Sequence, residues 1–229
     1  MIKLKKGCVI PGCNCYYYSD RSVMDIDCSS RNIRNLDLTI YNLNLTNVIN
    51  TLSFDLSNND FYEINSEMFK KFARLNQLIL SYNQINDLEK DSFYELSLLK
   101  VLRIDNNKLT SLNSLVFDGG VANISESLHL NNNNLGEIAL FTFKNLNLVK
   151  FIDLSFNQLQ LVDLNTFNGL GNLKNFKLNN NLISAIIDNS FQTLNQVTDL
   201  DLSYNLLSVI KKKHFYWAKF TSSYFIKIK

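Results

Sequence analysis

The sequence has little of what punctuates ordinary loops. Its 229 residues include 7 Gly and 1 Pro, so few of its turns rely on either. Long apolar runs are also missing: none approaches the ~18 residues that a membrane-spanning helix needs. The basic start, MIKLKKGCVIPGCN, is not followed by the apolar stretch of a secretory signal. Charge of one sign is lacking too, with 23 Lys and Arg against 21 Asp and Glu, a formal net charge of +2. That balance gives no reason to expect nucleic acid as the partner. An apolar content of 46% is too high for a disordered chain. The length allows one domain or two small ones. Leu (37) and Asn (34) are what the chain has in excess. Asn supplies turn chemistry in place of Gly and Pro, because it tolerates left-handed backbone and bonds its own neighbours.

The excess is periodic. The segments TLSFDLSNNDFYEI from Thr51, LNQLILSYNQINDL from Leu75, LKVLRIDNNKLTSL from Leu99 and SESLHLNNNNLGEI from Ser125 align with one another. VKFIDLSFNQLQLV from Val149, LKNFKLNNNLISAI from Leu173 and VTDLDLSYNLLSVI from Val197 complete the set. All have apolar residues at positions 4, 6, 11 and 14 and Asn at position 9; at position 1 only Thr51 and Ser125 depart. The spacing is 24 residues, and 26 where Gly119 and Gly120 intervene. The pattern is L-x-x-L-x-L-x-x-N-x-L. Alternation at positions 4 and 6, as in Leu78 and Leu80, predicts a short strand in each unit. The Asn of position 9 (Asn59, Asn83, Asn107, Asn133, Asn157, Asn181, Asn205) carries both donor and acceptor atoms. Its expected role is to satisfy the backbone where each strand turns away, not to bind a ligand. Position 19 is Phe throughout (Phe69, Phe93, Phe117, Phe143, Phe167, Phe191, Phe215), which predicts a stacked aromatic core on the outer side.

Every cysteine lies within the first 28 residues, at Cys8, Cys13, Cys15 and Cys28. A terminal repeat exposes an apolar end and needs a cap, so this crowding predicts disulfides that close one. Four thiolates can also bind zinc, but the usual C-x2-C spacing is absent. Four cysteines allow three pairings, among which the sequence does not choose. A degenerate first unit follows, with Val23, Ile26 and Cys28 at positions 1, 4 and 6, Ile33 and Leu36 at 11 and 14, and Arg31 in place of the Asn. Near the end, Tyr224 and Ile226 fall at positions 4 and 6 of a further unit. The expected organisation is a cap with a degenerate first repeat over 1–36, an irregular connection over 37–50, seven repeats over 51–220 and a partial strand over 221–229. The uncapped end and the missing signal suggest a mature form or a piece of a longer protein. Two sequons, at Asn44 and Asn123, agree with a secreted chain.

Such a stack resembles the leucine-rich-repeat superfamily, and the resemblance covers nearly the whole chain. The 24-residue unit with Phe at position 19 is similar to the animal type, and the plant-type L-x-G-x-I-P stretch is absent. The start resembles the N-terminal cysteine cap of Slit-like, Toll-like and variable-lymphocyte-receptor ectodomains. The resemblance implies an α/β solenoid, with a parallel sheet on the concave face and irregular or short helical segments on the convex one. It implies the pairing Cys8–Cys15 and Cys13–Cys28. It also implies a non-catalytic, extracellular protein-binding module without cofactor or metal, anchored to a membrane only through sequence outside this chain. A fibril-organising matrix protein similar to small leucine-rich proteoglycans, and an intracellular scaffold, are the alternatives.

Specificity in a solenoid lives at positions that the repeat leaves free, here 2, 3, 5, 7 and 8. The expected ligand-binding residues are Tyr82, Arg103, His129, Phe151, Asp153, Phe156, Lys177, Asp201 and Tyr204. They mix aromatics with both signs of charge, as protein interfaces do. His129 beside Asp153, with Ser127 or Ser155 as nucleophile, sketches a catalytic arrangement, but an open sheet without pocket or metal cluster argues against it. Lys211, Lys212 and Lys213, next to His214, form a charge run whose plain reading is a solvated loop and whose other reading is an anionic contact.

Overall fold

The computed structural model describes residues 4–6, 8–18, 24–35, 50–118, 124–211 and 225–227, the first and last of these as backbone. Each unit places one short strand on an inner sheet and returns over the outside. The inner strands are β1 (Leu4–Lys6), β2 (Asn14–Tyr17), β3 (Met24–Asp27), β4 (Thr51–Asp55), β6 (Gln77–Ile79), β8 (Val101–Arg103), β10 (Ser127–His129), β12 (Phe151–Asp153), β14 (Asn175–Lys177), β16 (Asp199–Asp201) and β17 (Phe225–Lys227). They form one 11-stranded sheet in that order. The cap strands β1, β2 and β3 pair antiparallel, and every later pairing is parallel. The outer strands are β5 (Glu63–Ile64), β7 (Asp87–Leu88), β9 (Ser111–Leu112), β11 (Glu137–Ile138), β13 (Leu161–Val162) and β15 (Ala185–Ile186). They pair two by two, β5 with β7, β9 with β11 and β13 with β15.

The core is a single column between the two layers. Residues of positions 4 and 6, such as Leu78, Leu80, Leu102 and Ile104, are fully buried. No unit could bury them alone; each is covered by its neighbours in the stack. At position 1 Ser125 does not fill the core, and the preceding Ile124 does. Outside, Phe69, Phe93, Phe117, Phe143, Phe167 and Phe191 stack with ring centroids 5.9–6.4 Å apart. Each buried ring contributes roughly 1.5–3 kcal/mol. Phe215 lies outside the described residues, as do Asn44, Asn123 and His214. Of the two convex conformations expected, the described residues show turns. Bonds such as Phe72 N–H to Phe69 C=O (2.9 Å) and Leu75 N–H to Phe72 C=O (2.9 Å) close single turns without propagating into a helix.

The Asn ladder closes the strand ends. Asn157 Oδ1 accepts from Leu135 N–H (3.0 Å), while its Nδ2 donates to Leu130 C=O (3.0 Å) and Leu154 C=O (3.1 Å). One amide thus satisfies groups of its own unit and of the preceding one. The same set recurs from Asn83 to Asn205. Asn59 does the same toward the cap, taking Arg31 N–H and Ile33 N–H and donating to Cys28 C=O. In the cap, Cys8 pairs with Cys15 and Cys13 with Cys28, and Cys15, Cys28 and Ile10 are buried against the first turn. At the other end the register differs from the sequence expectation. Ile226 lies opposite Leu200, a position 4 residue, rather than at position 6; Tyr224 is outside the described residues. The last unit is therefore two residues longer than the common repeat.

Candidate binding face

Pairing register puts residues of position 5 in one row across the inner sheet. Arg103 neighbours His129, His129 neighbours Asp153, Asp153 neighbours Lys177, and Lys177 neighbours Asp201. Phe151, two residues before Asp153 on β12, lies beside this row. Its ring lies 5.1 Å from the His129 ring and 5.4 Å below Lys177 Nζ. Lys177 Nζ also stands 3.5 Å from Asp153 Oδ2. Arg103, His129, Phe151, Asp153 and Lys177 are thus one contiguous patch.

Several members are less free than the repeat pattern suggested. Asp153 is only 7% exposed, and its Oδ1 accepts from both the N–H (3.0 Å) and Oγ (2.5 Å) of Ser155. Asp201 makes the same pair of bonds with Ser203, and Asp27 with Ser29. An Asp at position 5 followed by Ser at position 7 is therefore a turn device that ends the strand. Position 7 is not uniformly free either: Ser81, Asp105 and Ser155 are buried. Asp105 is the group that the sequence expectation missed. It accepts from Ser81 Oγ (2.8 Å), Arg103 Nε (3.0 Å) and Asn106 Nδ2 (2.8 Å). Burial pushes its carboxyl up, but these hydrogen bonds and the guanidinium charge more than offset it and hold the pKa below the usual Asp value. Its signal was present in the pattern, as the one acid at a position otherwise held by Ser or Asn.

Position 8 is different again. Asn58, Tyr82, Asn106, Asn132, Phe156, Asn180 and Tyr204 all have φ between 53° and 58°. Asn tolerates this left-handed backbone; a bulky aromatic there is an outlier. Tyr82, Phe156 and Tyr204 nevertheless occupy it, with side chains 57%, 52% and 70% exposed. At ~4.8 Å per strand, Tyr82 and Phe156 are about 14 Å apart along the stack. Tyr82 and Tyr204 follow β6 and β16, one strand outside the patch on either side, and Phe156 follows β12, beyond the strand end within the patch's span.

The catalytic sketch does not assemble. His129 Nε2 lies 3.1 Å from Ser127 Oγ, whereas the Asp153 oxygens are taken by Ser155 and Lys177. No hydrogen bond among the described residues joins His129 to Asp153. Burial, and next the Arg103 charge, lower the His129 pKa despite the opposing charges of Asp105 and Asp153. Among the described residues no cluster of three or more His, Cys, Asp or Glu could hold a metal ion. No helix of the described residues is long and apolar enough to cross a membrane.

A capped parallel-strand solenoid with an Asn ladder and an outer Phe stack defines a solenoid repeat protein. The chain belongs to the leucine rich repeat family, whose model matches residues 49–109, 126–183 and 171–216. It is 30% identical to Toll-like receptor 3 of Bos taurus over 149 residues, 62% of this chain and 16% of that receptor. Among solved structures it is similar to the TLR13–ssRNA13 complex, with a TM-score of 0.76 and 24% identity over 87% of this chain and 27% of that one. At that identity the second likeness speaks to the fold. The chain thus spans about a quarter or less of either protein's length.

Proposed function

We propose that the chain is a non-catalytic, extracellular module that binds a protein partner with its concave sheet. The observation that carries this reading is position 8. Three turns place an exposed aromatic on left-handed backbone that four other turns give to Asn. Backbone strain of this kind costs about 1–3 kcal/mol per site, and the side chains return little burial to the fold. They border a patch in which Phe151 packs against an imidazole and lies beneath an ammonium group. Charges of both signs, Arg103 with Asp105 and Lys177 with Asp153, suit a polypeptide surface better than a phosphate backbone. The disulfide cap supports an oxidising, extracellular setting. Against the expectation that nucleic acid is not a partner stands a structural neighbour known in complex with single-stranded RNA.

The test therefore has two arms. The protein is screened against a panel of secreted and cell-surface proteins and against single-stranded RNA oligonucleotides. Capture of a soluble protein that persists at roughly 0.5 M salt, where exposed charges are screened, supports the reading. Capture of RNA alone, with affinity falling steeply as salt rises, replaces it. Retention only on fibrils favours the matrix alternative.

A further inference from the structure

Away from the inner sheet, a groove of about 770 Å³ opens on the outer side of the solenoid. It lies where the outer ribbon breaks, between β11 and β13, which no strand pairing joins. Ile138, Leu140, Leu159 and Leu161 supply its apolar wall, and Glu137 and Asp163 its carboxylates. No Lys or Arg lines it. Neither carboxylate has an ion-pair partner among the described residues.

The break at this point is unlike its counterpart. Within the paired ribbons, Ala139 N–H donates to Leu112 C=O (2.9 Å) and Ile187 N–H to Val162 C=O (2.9 Å). The equivalent bond, from Asp163 N–H to Ile138 C=O, is absent among the described residues. The outer ribbon also breaks between β7 and β9, but there the Asn113 side chain donates to Leu88 C=O at 3.3 Å. Asp163 holds the place of Asn113 in its own turn. Its Oδ1 accepts from Leu164 N–H (2.6 Å), and an ionised carboxylate has no proton to donate across the break. The groove therefore gathers two carboxylates and a carbonyl that its own side chains do not bridge. These are acceptors and negative charge beside an apolar wall.

We propose that this groove is a second contact surface, separate from the concave sheet, that takes a Lys or Arg side chain of a protein partner. The aliphatic stem of such a side chain lies along Leu140, Leu159 and Leu161, and its cationic head meets Glu137, Asp163 and the Ile138 carbonyl. The apolar character continues beyond the groove. Position 13 is Glu63, Asp87, Ser111 and Glu137 in the first four repeats, then Leu161, Ala185 and Val209, all three exposed. A basic residue followed by apolar ones is the partner sequence that matches this change.

The probes are three tripeptides, acetyl-Leu-Arg-Leu-amide and its counterparts with norleucine or Glu at the centre. Each is titrated against the isotope-labelled full chain while backbone amide shifts are followed. The arginine peptide should move amides of residues 136–140 and 160–163, and the other two should bind several-fold more weakly. Loss of two surface charge pairs in Glu137→Gln with Asp163→Asn should weaken the arginine peptide roughly three- to tenfold. Asp163→Asn should also slow hydrogen exchange around residues 160–163, because the new amide can bridge the break as Asn113 does. Should the double variant fold poorly, Glu137→Gln alone, at an exposed side chain, serves for the affinity comparison. Equal binding of the Arg and Glu peptides, shifts confined to the inner strands, no shifts at all, or unchanged affinity in a folded variant would each overturn the proposal.

Discussion

At the scale of single residues, the same side chain type does opposite work at neighbouring positions. In a chain so rich in Asn, positions 8 and 9 of the repeat look alike. Asn157, at position 9, is buried and bonded three ways, whereas position 8 asks only for left-handed backbone. Asn157→Ala should leave buried peptide groups unpaired and cost roughly 1–3 kcal/mol; urea unfolding measures this, and an unchanged midpoint contradicts the ladder's role. Phe156→Asn should do the reverse, raising stability by up to about 1 kcal/mol as strain at φ 55° is relieved, while removing the proposed apolar anchor. The same unfolding assay checks it, and a less stable variant would count against the strain argument. His129 carries the pH prediction. Its folded pKa is depressed, chiefly by burial, so the unfolded chain takes up a proton first. Stability should therefore fall as pH drops below about 6.5, the ordinary His value, and level off below the folded pKa. His129→Gln should flatten that part of the stability profile; an identical profile would show that the group does not matter.

At the scale of elements, what repeats was legible and what happens once was not. Seven aligned segments foretold the inner strands, the ladder and the Phe stack, because each rests on chemistry that recurs every 24 residues. The double role of position 5 was hidden. Asp153 reads as a free surface charge until the strand end is seen to fold its Ser155 hydroxyl back onto it. The terminal strand escaped by two residues because the alternating residues Tyr224, Ile226 and Ile228 fit positions 4 and 6 in either of two registers. The cap is the element with the clearest energetic role. Its second bridge joins Cys13, just before β2, to Cys28, just after β3, whose own carbonyl Asn59 bonds. Cys28→Ser, or reduction, should destabilise the chain by roughly 2–5 kcal/mol and loosen β3 and β4 before later turns. Hydrogen exchange resolved along the chain reports the order, and uniform protection after reduction would contradict it.

At the scale of the whole molecule, the solenoid divides its labour by face. The interior and the outer Phe stack hold neighbours together, and little of their sequence can vary without loss. The inner sheet uses Asp55, Asp153 and Asp201 to end strands, and Phe151, Arg103, His129, Lys177 and the position 8 aromatics are the residues we propose for contact. A few desolvated aromatics usually carry most of an interface's energy, while the paired charges set orientation and association rate. Once a partner is captured, the most direct measurement is its affinity for Phe156→Ala and Lys144→Ala side by side. Phe156 is an exposed aromatic bordering the patch, and Lys144 is an outer residue whose ammonium pairs with Asp118 at 3.2 Å. The concave-face account predicts that Phe156→Ala weakens binding about thirtyfold, roughly 2 kcal/mol, with little change in Tm, and that Lys144→Ala leaves both unchanged. Binding lost in Lys144→Ala and retained in Phe156→Ala would mean that the partner grips the outer side of the solenoid instead.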